Sequence, residues 1–245
     1  MVVESNSKSV VVRESPLPRL ESAEELATPV PTLRELFASH RRFPEIRNPH
    51  AETPVSDEIK RQARLSAVLI PIILRGNEPT VLITKRQSHI RFGGHLCFPG
   101  GIIDEGDVSD TDTALRESNE EIDLDPGNVE VLGSLGKYYT QAGYMIRPVV
   151  GLIEPPAAVR ANPDEVSDIY EIRLSDVLNS ESYKLTWHSQ TRGHYAFENL
   201  AHICKPPGIE VHQSSIRFDT GVRIAGPTVS LLIGLYEALL SYSRA

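Results

Sequence analysis

The chain has 245 residues, 40% hydrophobic and 24% charged, with a formal net charge of −8 at pH 7. That is an ordinary composition for a globular protein of one large domain, or of one domain with extensions. The acidity argues against a nucleic-acid partner, which needs a clustered Lys/Arg surface. Two cysteines, Cys97 and Cys204, give neither a disulfide framework nor a four-cysteine zinc site and are expected as reduced, mostly buried thiols.

Residues 1–30 mix Ser, Glu, Pro and Val without helical or strand period, and predict a flexible segment. They contain no apolar stretch of signal-peptide length. The longest apolar run, residues 67–74, is far short of the roughly 20 residues a membrane span needs. A cytoplasmic protein without a membrane partner is expected. Residues 31–43 place Leu33, Leu36 and Phe37 at helical spacing behind a capping Thr32, and predict a short amphipathic helix. With the proline-punctuated linker of residues 43–57, they form a second segment, 31–61, before a domain at 62–245.

That domain opens with two strands, 66–76 and 79–86, separated by turn residues and read as a hairpin. Asp110 to Ile122 reads as a helix capped by Asp110 or Thr111. Further strands are expected at 128–136 and 144–154, a short helix near residue 174, and a hairpin turning at 190–193. A final helix starts at Pro227 behind Gly226, with Leu231, Leu232, Leu235, Leu239 and Leu240 as its stripe. Strands with a few helices suggest an α+β sheet between helices.

Residues 98–124 crowd Asp and Glu behind Pro99, Gly100 and Gly101. In helical projection Glu117, Glu120 and Glu121 share one face, while Ala114, Leu115, Ser118 and Ile122 share another. Like charges so placed repel, and Arg116, four residues before Glu120, relieves only part of this. The face is either a solvated acidic surface or a set of oxygen ligands for a hard divalent cation such as Mg2+.

The segment from Gly101 to Leu124 resembles the Nudix box, GX5EX7REUXEEXGU, with Arg116-Glu117-Ser118-Asn119-Glu120-Glu121 as its core. The resemblance implies a Nudix fold, an α/β/α sandwich with a mixed central β-sheet and the acidic box helix. It implies Mg2+ or Mn2+ bound by Glu117, Glu120 and Glu121, with the Gly101 carbonyl contributing and Arg116 orienting the glutamates. The chain departs from the pattern in three places. Asp107 stands for the first Glu, one residue further from Arg116; Ser118 replaces an aliphatic; Asp123 replaces the box glycine.

Upstream, residues 82–101 resemble the extra signature of coenzyme A pyrophosphatases through Leu82, Thr84, Arg86, Arg91, Gly94, Phe98, Pro99, Gly100 and Gly101. Gln87 and a loop one residue short depart from it, as do residues 224–229, where that subfamily has a Trp. The resemblance assigns Arg86, Arg91, Gly94, Phe98 and Gly100 to substrate binding, and guanidinium groups suit phosphates. It extends through a strand near Tyr144 and a loop at 163–178. The implied activity cleaves coenzyme A or a derivative to 3′,5′-ADP and 4′-phosphopantetheine. The water's proton would go to Glu120 or to Glu165. The partner is thus a small nucleoside diphosphate, and there is room for a homodimer. Alternatives are hydrolysis of ADP-ribose, dinucleotides or oxidised nucleoside triphosphates, or a non-catalytic binding module.

Overall fold

The computed structural model describes residues 2–3, 10–13, 29–47, 53–188, 194–197 and 224–243. In chain order the strands and helices begin with β1 (Val2–Val3), β2 (Val10–Arg13), α1 (Pro29–Ala38), α2 (Asp57–Arg61), β3 (Arg64–Ile73) and β4 (Thr80–Arg86). Next come β5 (Leu96–Cys97), β6 (Gly100–Ile102), α3 (Asp110–Ile122), β7 (Val129–Ser134), β8 (Tyr138–Tyr139) and β9 (Tyr144–Ile153). The rest are β10 (Val166–Arg173), α4 (Leu174–Val177), β11 (Tyr183–His188), β12 (His194–Phe197), β13 (Ile224–Ala225) and α5 (Pro227–Ser243).

The central sheet runs β10-β4-β3-β9-β7, with β5, β6 and β8 pairing from its sides. It is mixed, because β3 and β9 are parallel over their whole length while β4, β7 and β10 run antiparallel to their neighbours. Strand side chains alternate between faces. Ala67, Leu69 and Ile73 of β3 therefore meet Ala114 and Ile122 of α3 on one face, and Ile70 and Ile72 meet α1 and α5 on the other. The result is the α+β sandwich, with its core in two layers. A smaller sheet, β1-β2-β11-β12-β13, lies beside it.

Several expectations are corrected. The β3/β4 hairpin is real but short: only Ile72 and Ile73 pair with Val81 and Thr80, because β6 takes that side of β3 from Ser66 to Val68. The stretch expected as a loop after residue 163 contains β10, an edge strand on β4. A bulge between Val166 and Asp168 breaks its period of two, so Val166 and Ile169 face the same core. Val10–Arg13, within the segment expected without structure, pairs with Leu185–His188. Most of residues 1–30, the turn at 190–193 and Cys204 lie outside the described residues. Helix α1 ends at Ala38 rather than continuing to residue 43, and His40 turns the chain with a φ of 52°. Helix α5 is buried nearly all round, beyond its leucine stripe.

Helix α3 has the expected bounds but a different cap. Ser109 is extended, and its Oγ accepts the N–H of Asp112 and donates to the Asp112 carboxylate. That occupies an otherwise orphan donor of the first turn. Ser109→Ala is expected to cost about 1 kcal/mol of unfolding free energy in urea, whereas Thr111→Ala changes it by less than about 0.5 kcal/mol.

Candidate active site

The turn into β6 brings the backbone against the sheet and against α3. Pro99 O accepts the N–H of Leu69 at 2.9 Å. Gly100 has a φ of +152°, and a Cβ there would run into Ala67 O and the Val68 backbone. At Gly101 a Cβ would overlap the Glu117 carboxylate. Both glycines are needed for close approach, and Gly101 leaves its backbone directly beside a box glutamate.

The three box glutamates occupy different environments. Glu117 is half-buried and Glu120 is exposed, but Glu121 is buried, at 2%. Arg116 forms two parallel bonds to Asp107, Nε to Oδ1 and Nη2 to Oδ2, both at 2.9 Å. Its Nη1 donates to Glu117 Oε1 at 3.0 Å and Glu120 Oε2 at 3.2 Å, and Nη2 donates to Ile102 O. Asp107 is thereby held well below the usual carboxylate range. Glu121 receives Gly100 N–H at 3.3 Å and faces Arg86 Nη1 at 3.4 Å. Burial outweighs these contacts and pushes it up to about 8, with Glu165 and Glu117 adding repulsion. Glu117 is also raised, again by burial, against the pull of Arg116.

Glu165 is carried in by a loop that ends α3. Asn162 N–H and Arg160 N–H bond to the carbonyls of Glu121 and Ile122 at 2.8 Å, and Asn162 Nδ2 reaches Glu120 O. Those are carbonyls a helix C-terminus leaves open. Gln87 then fixes the turn, with its N–H on Glu165 O and its Nε2 on Pro163 O, both at 2.8 Å.

A cavity of about 1200 Å3 opens over this region. Glu117, Glu121 and Glu165 line it together with Gly101, and so do Arg86, Arg91, Gly94, Phe98 and Gly100. Glu120 and Arg116 do not line it; they meet each other alongside. Among the described residues no three Asp, Glu, His or Cys side chains stand grouped to hold a metal ion. Arg116 holds two of the three expected carboxylates. Sequence reasoning missed Lys85, Arg64, Tyr144 and Phe92, which also line the cavity; no local motif marks them. Cys97 lines it too, its thiol pushed up by burial.

The NUDIX domain model matches residues 63–190, just over half of the chain. The chain belongs to the Nudix family. Nudix hydrolase NudL of Photorhabdus laumondii, itself uncharacterized, is 40% identical over 131 residues, covering 53% of this chain and 70% of that protein. The NudL of Escherichia coli is 43% identical over 121 residues, 49% of this chain and 62% of that protein. Among solved structures, a MutT/nudix family protein from Enterococcus faecalis is 15% identical with a TM-score of 0.44, covering 91% of this chain and 76% of its own. No helix among the described residues of this Nudix protein is long and apolar enough to cross a membrane.

The buried carboxyl predicts a pH dependence. The folded value of Glu121, about 8, lies above its ordinary 4.5. Without metal the unfolded chain therefore binds fewer protons between those values, and stability falls as pH rises through them. Melting curves in chelator are expected to show the wild type losing ground to Glu121→Gln from about pH 5 to pH 8. Parallel curves would contradict the assignment.

Proposed function

We propose that this Nudix protein is a divalent-metal-dependent hydrolase that cleaves the diphosphate of coenzyme A or a derivative to 3′,5′-ADP and 4′-phosphopantetheine. The observation that carries this reading is one cavity in which Glu117, Glu121 and Glu165 share the lining with Lys85, Arg86 and Arg91. Its volume, about 1200 Å3, exceeds the usual range for small ligands, about 300–1,000 Å3, and suits an extended substrate. The extra signature at residues 82–101 supports coenzyme A over other nucleoside diphosphates. Residues 62–245 form the catalytic domain in this reading, with residues 1–61 as its extension.

The residues present fit a hard cation. The donors are all oxygens, and Gly101 offers backbone beside Glu117. Burial disfavours the charged forms of Glu117 and Glu121 in spite of Arg116 and Arg86, a cost that a bound cation would offset. Glu117, Glu120 and Glu121 would hold Mg2+ or Mn2+ with the Gly101 carbonyl. When bound, the cation neutralises phosphate charge and lowers the pKa of water. Arg116 is a positioning residue that keeps Glu117 and Glu120 oriented. Arg86 and Arg91 bind the diphosphate oxygens, while Gly94, Phe98 and Gly100 shape the wall beside them. Glu165 accepts the proton of the attacking water; it lines the cavity, and Glu120 does not.

Purified protein with Mg2+ is expected to turn over coenzyme A faster than ADP-ribose, NADH or 8-oxo-dGTP in a competition assay. Coenzyme A left intact while another is consumed would reject the substrate. Glu120→Gln and Glu117→Gln are expected to abolish metal-dependent turnover in a folded protein. Glu165→Gln is expected to lower kcat by about 10²- to 10⁴-fold, as loss of a general base does.

A further inference from the structure

The loop between β4 and β5 is closely built. Arg86 N–H bonds to His95 O and Gly94 N–H to Arg86 O, both at 3.0 Å, and Gln87 fastens the loop to Pro163 and Glu165. Gly93 packs so tightly that a Cβ would lie 2.5 Å from Ser88 O. Phe92, at the tip of this frame, has a φ of 60°. Left-handed backbone is strained for a bulky side chain, and glycine adopts it freely. Yet the phenyl ring is not buried in return: it is 49% exposed and lines the cavity. A strained, half-exposed aromatic ring on a well-fastened loop contributes little to folding, and such outliers gather at ligand sites.

Its surroundings indicate what it would receive. The Arg91 guanidinium lies 4.8 Å from the Phe92 ring centre and 5.4 Å from that of Tyr144, whose hydroxyl accepts from Arg91 Nη1 at 2.7 Å. Arg64 lies 5.8 Å from the same tyrosine ring. Flat rings interleaved with guanidinium groups offer a π-face for a base beside charge for phosphates. We infer that Phe92 is a stacking platform for the nucleobase of the ligand, with Arg91 and Arg64 taking the adjoining phosphates. The inference rests on reading the cavity as a nucleoside diphosphate site, and it adds a base-recognition residue to it.

The test compares ADP with inorganic pyrophosphate as probes, by calorimetry with Mg2+ present, in wild type and Phe92→Gly. Glycine relieves the strained backbone, so Tm is expected to rise by about 2–4 °C. ADP affinity is expected to fall by about 5- to 100-fold, the range for one lost base stack, while pyrophosphate affinity stays within about twofold. Phe92→Trp is expected to retain ADP affinity. A Tm that falls in Phe92→Gly would make the ring structural. ADP affinity that is unchanged, or reduced no more than that of pyrophosphate, would overturn the platform. Because these readouts need no turnover, absence of hydrolysis with every substrate would reject the hydrolase reading alone.

Discussion

Repulsion among carboxylates is the constraint to which the rest of the site is fitted. Helix α3 carries Glu117, Glu120 and Glu121 within two turns, and the preceding loop adds Asp107. One guanidinium contacts three of these four carboxylates. Arg116 binds Asp107 through two bonds, spans Glu117 and Glu120, and reaches the carbonyl of Ile102 at the end of β6. A planar fork can do this where a lysine could not, because it offers five donors in a fixed arrangement. The same bonds dictate the path of the loop from Ile102 to Asp110, so the glycine turn and the helix are placed relative to each other. Glu121 lies beyond Arg116, on the sheet side of the helix. It is met instead by Arg86 and one backbone N–H.

The far end of α3 positions the remaining acid. A helix must find donors for its last carbonyls, and here the chain at 160–162 supplies them. Glu165 follows three residues later, so the bonds that terminate the helix also bring a third carboxylate to the cavity, beside Glu117 and Glu121. Asp123 completes the exit. It stands where the family pattern has glycine, yet adopts φ 56° and ψ 28°, and its N–H bonds to Asn119 O. Asp tolerates left-handed backbone better than most residues, so the turn geometry survives the substitution.

What the sequence revealed, and what it hid, follow from how local each feature is. The bounds of α3 and the start of α5 were legible because helical period and the Gly226-Pro227 start lie within a few positions, although the α3 cap is Ser109 and not Asp110 or Thr111. The acidic face was legible for the same reason. Burial of Glu121 was not, since helical projection puts it with Glu120 and only the sheet decides which edge is covered. The β3/β9 pairing joins residues some eighty positions apart in parallel, and no short pattern encodes that. Strand β10 was hidden by its own bulge, which moves Ile169 out of alternation with Val166. Phe92 was passed over because a left-handed φ leaves no trace beyond the glycines that follow it.

The chain's acidity is compatible with an anionic ligand, because net charge and local field are separate quantities. Lys85, Arg86, Arg91 and Arg64 all line the cavity, which is where an anion would feel them. Arg86 is shared, since it also faces the buried Glu121 at a long 3.4 Å. In the proposed reading, Glu121 would be neutralised by the cation it helps to hold, and Arg86 would then be available for phosphate. Cation and diphosphate would then each favour the other's binding, by an equal free energy in both directions. An Arg86 that served only one of them would leave either a buried carboxylate or a phosphate without its counter-charge.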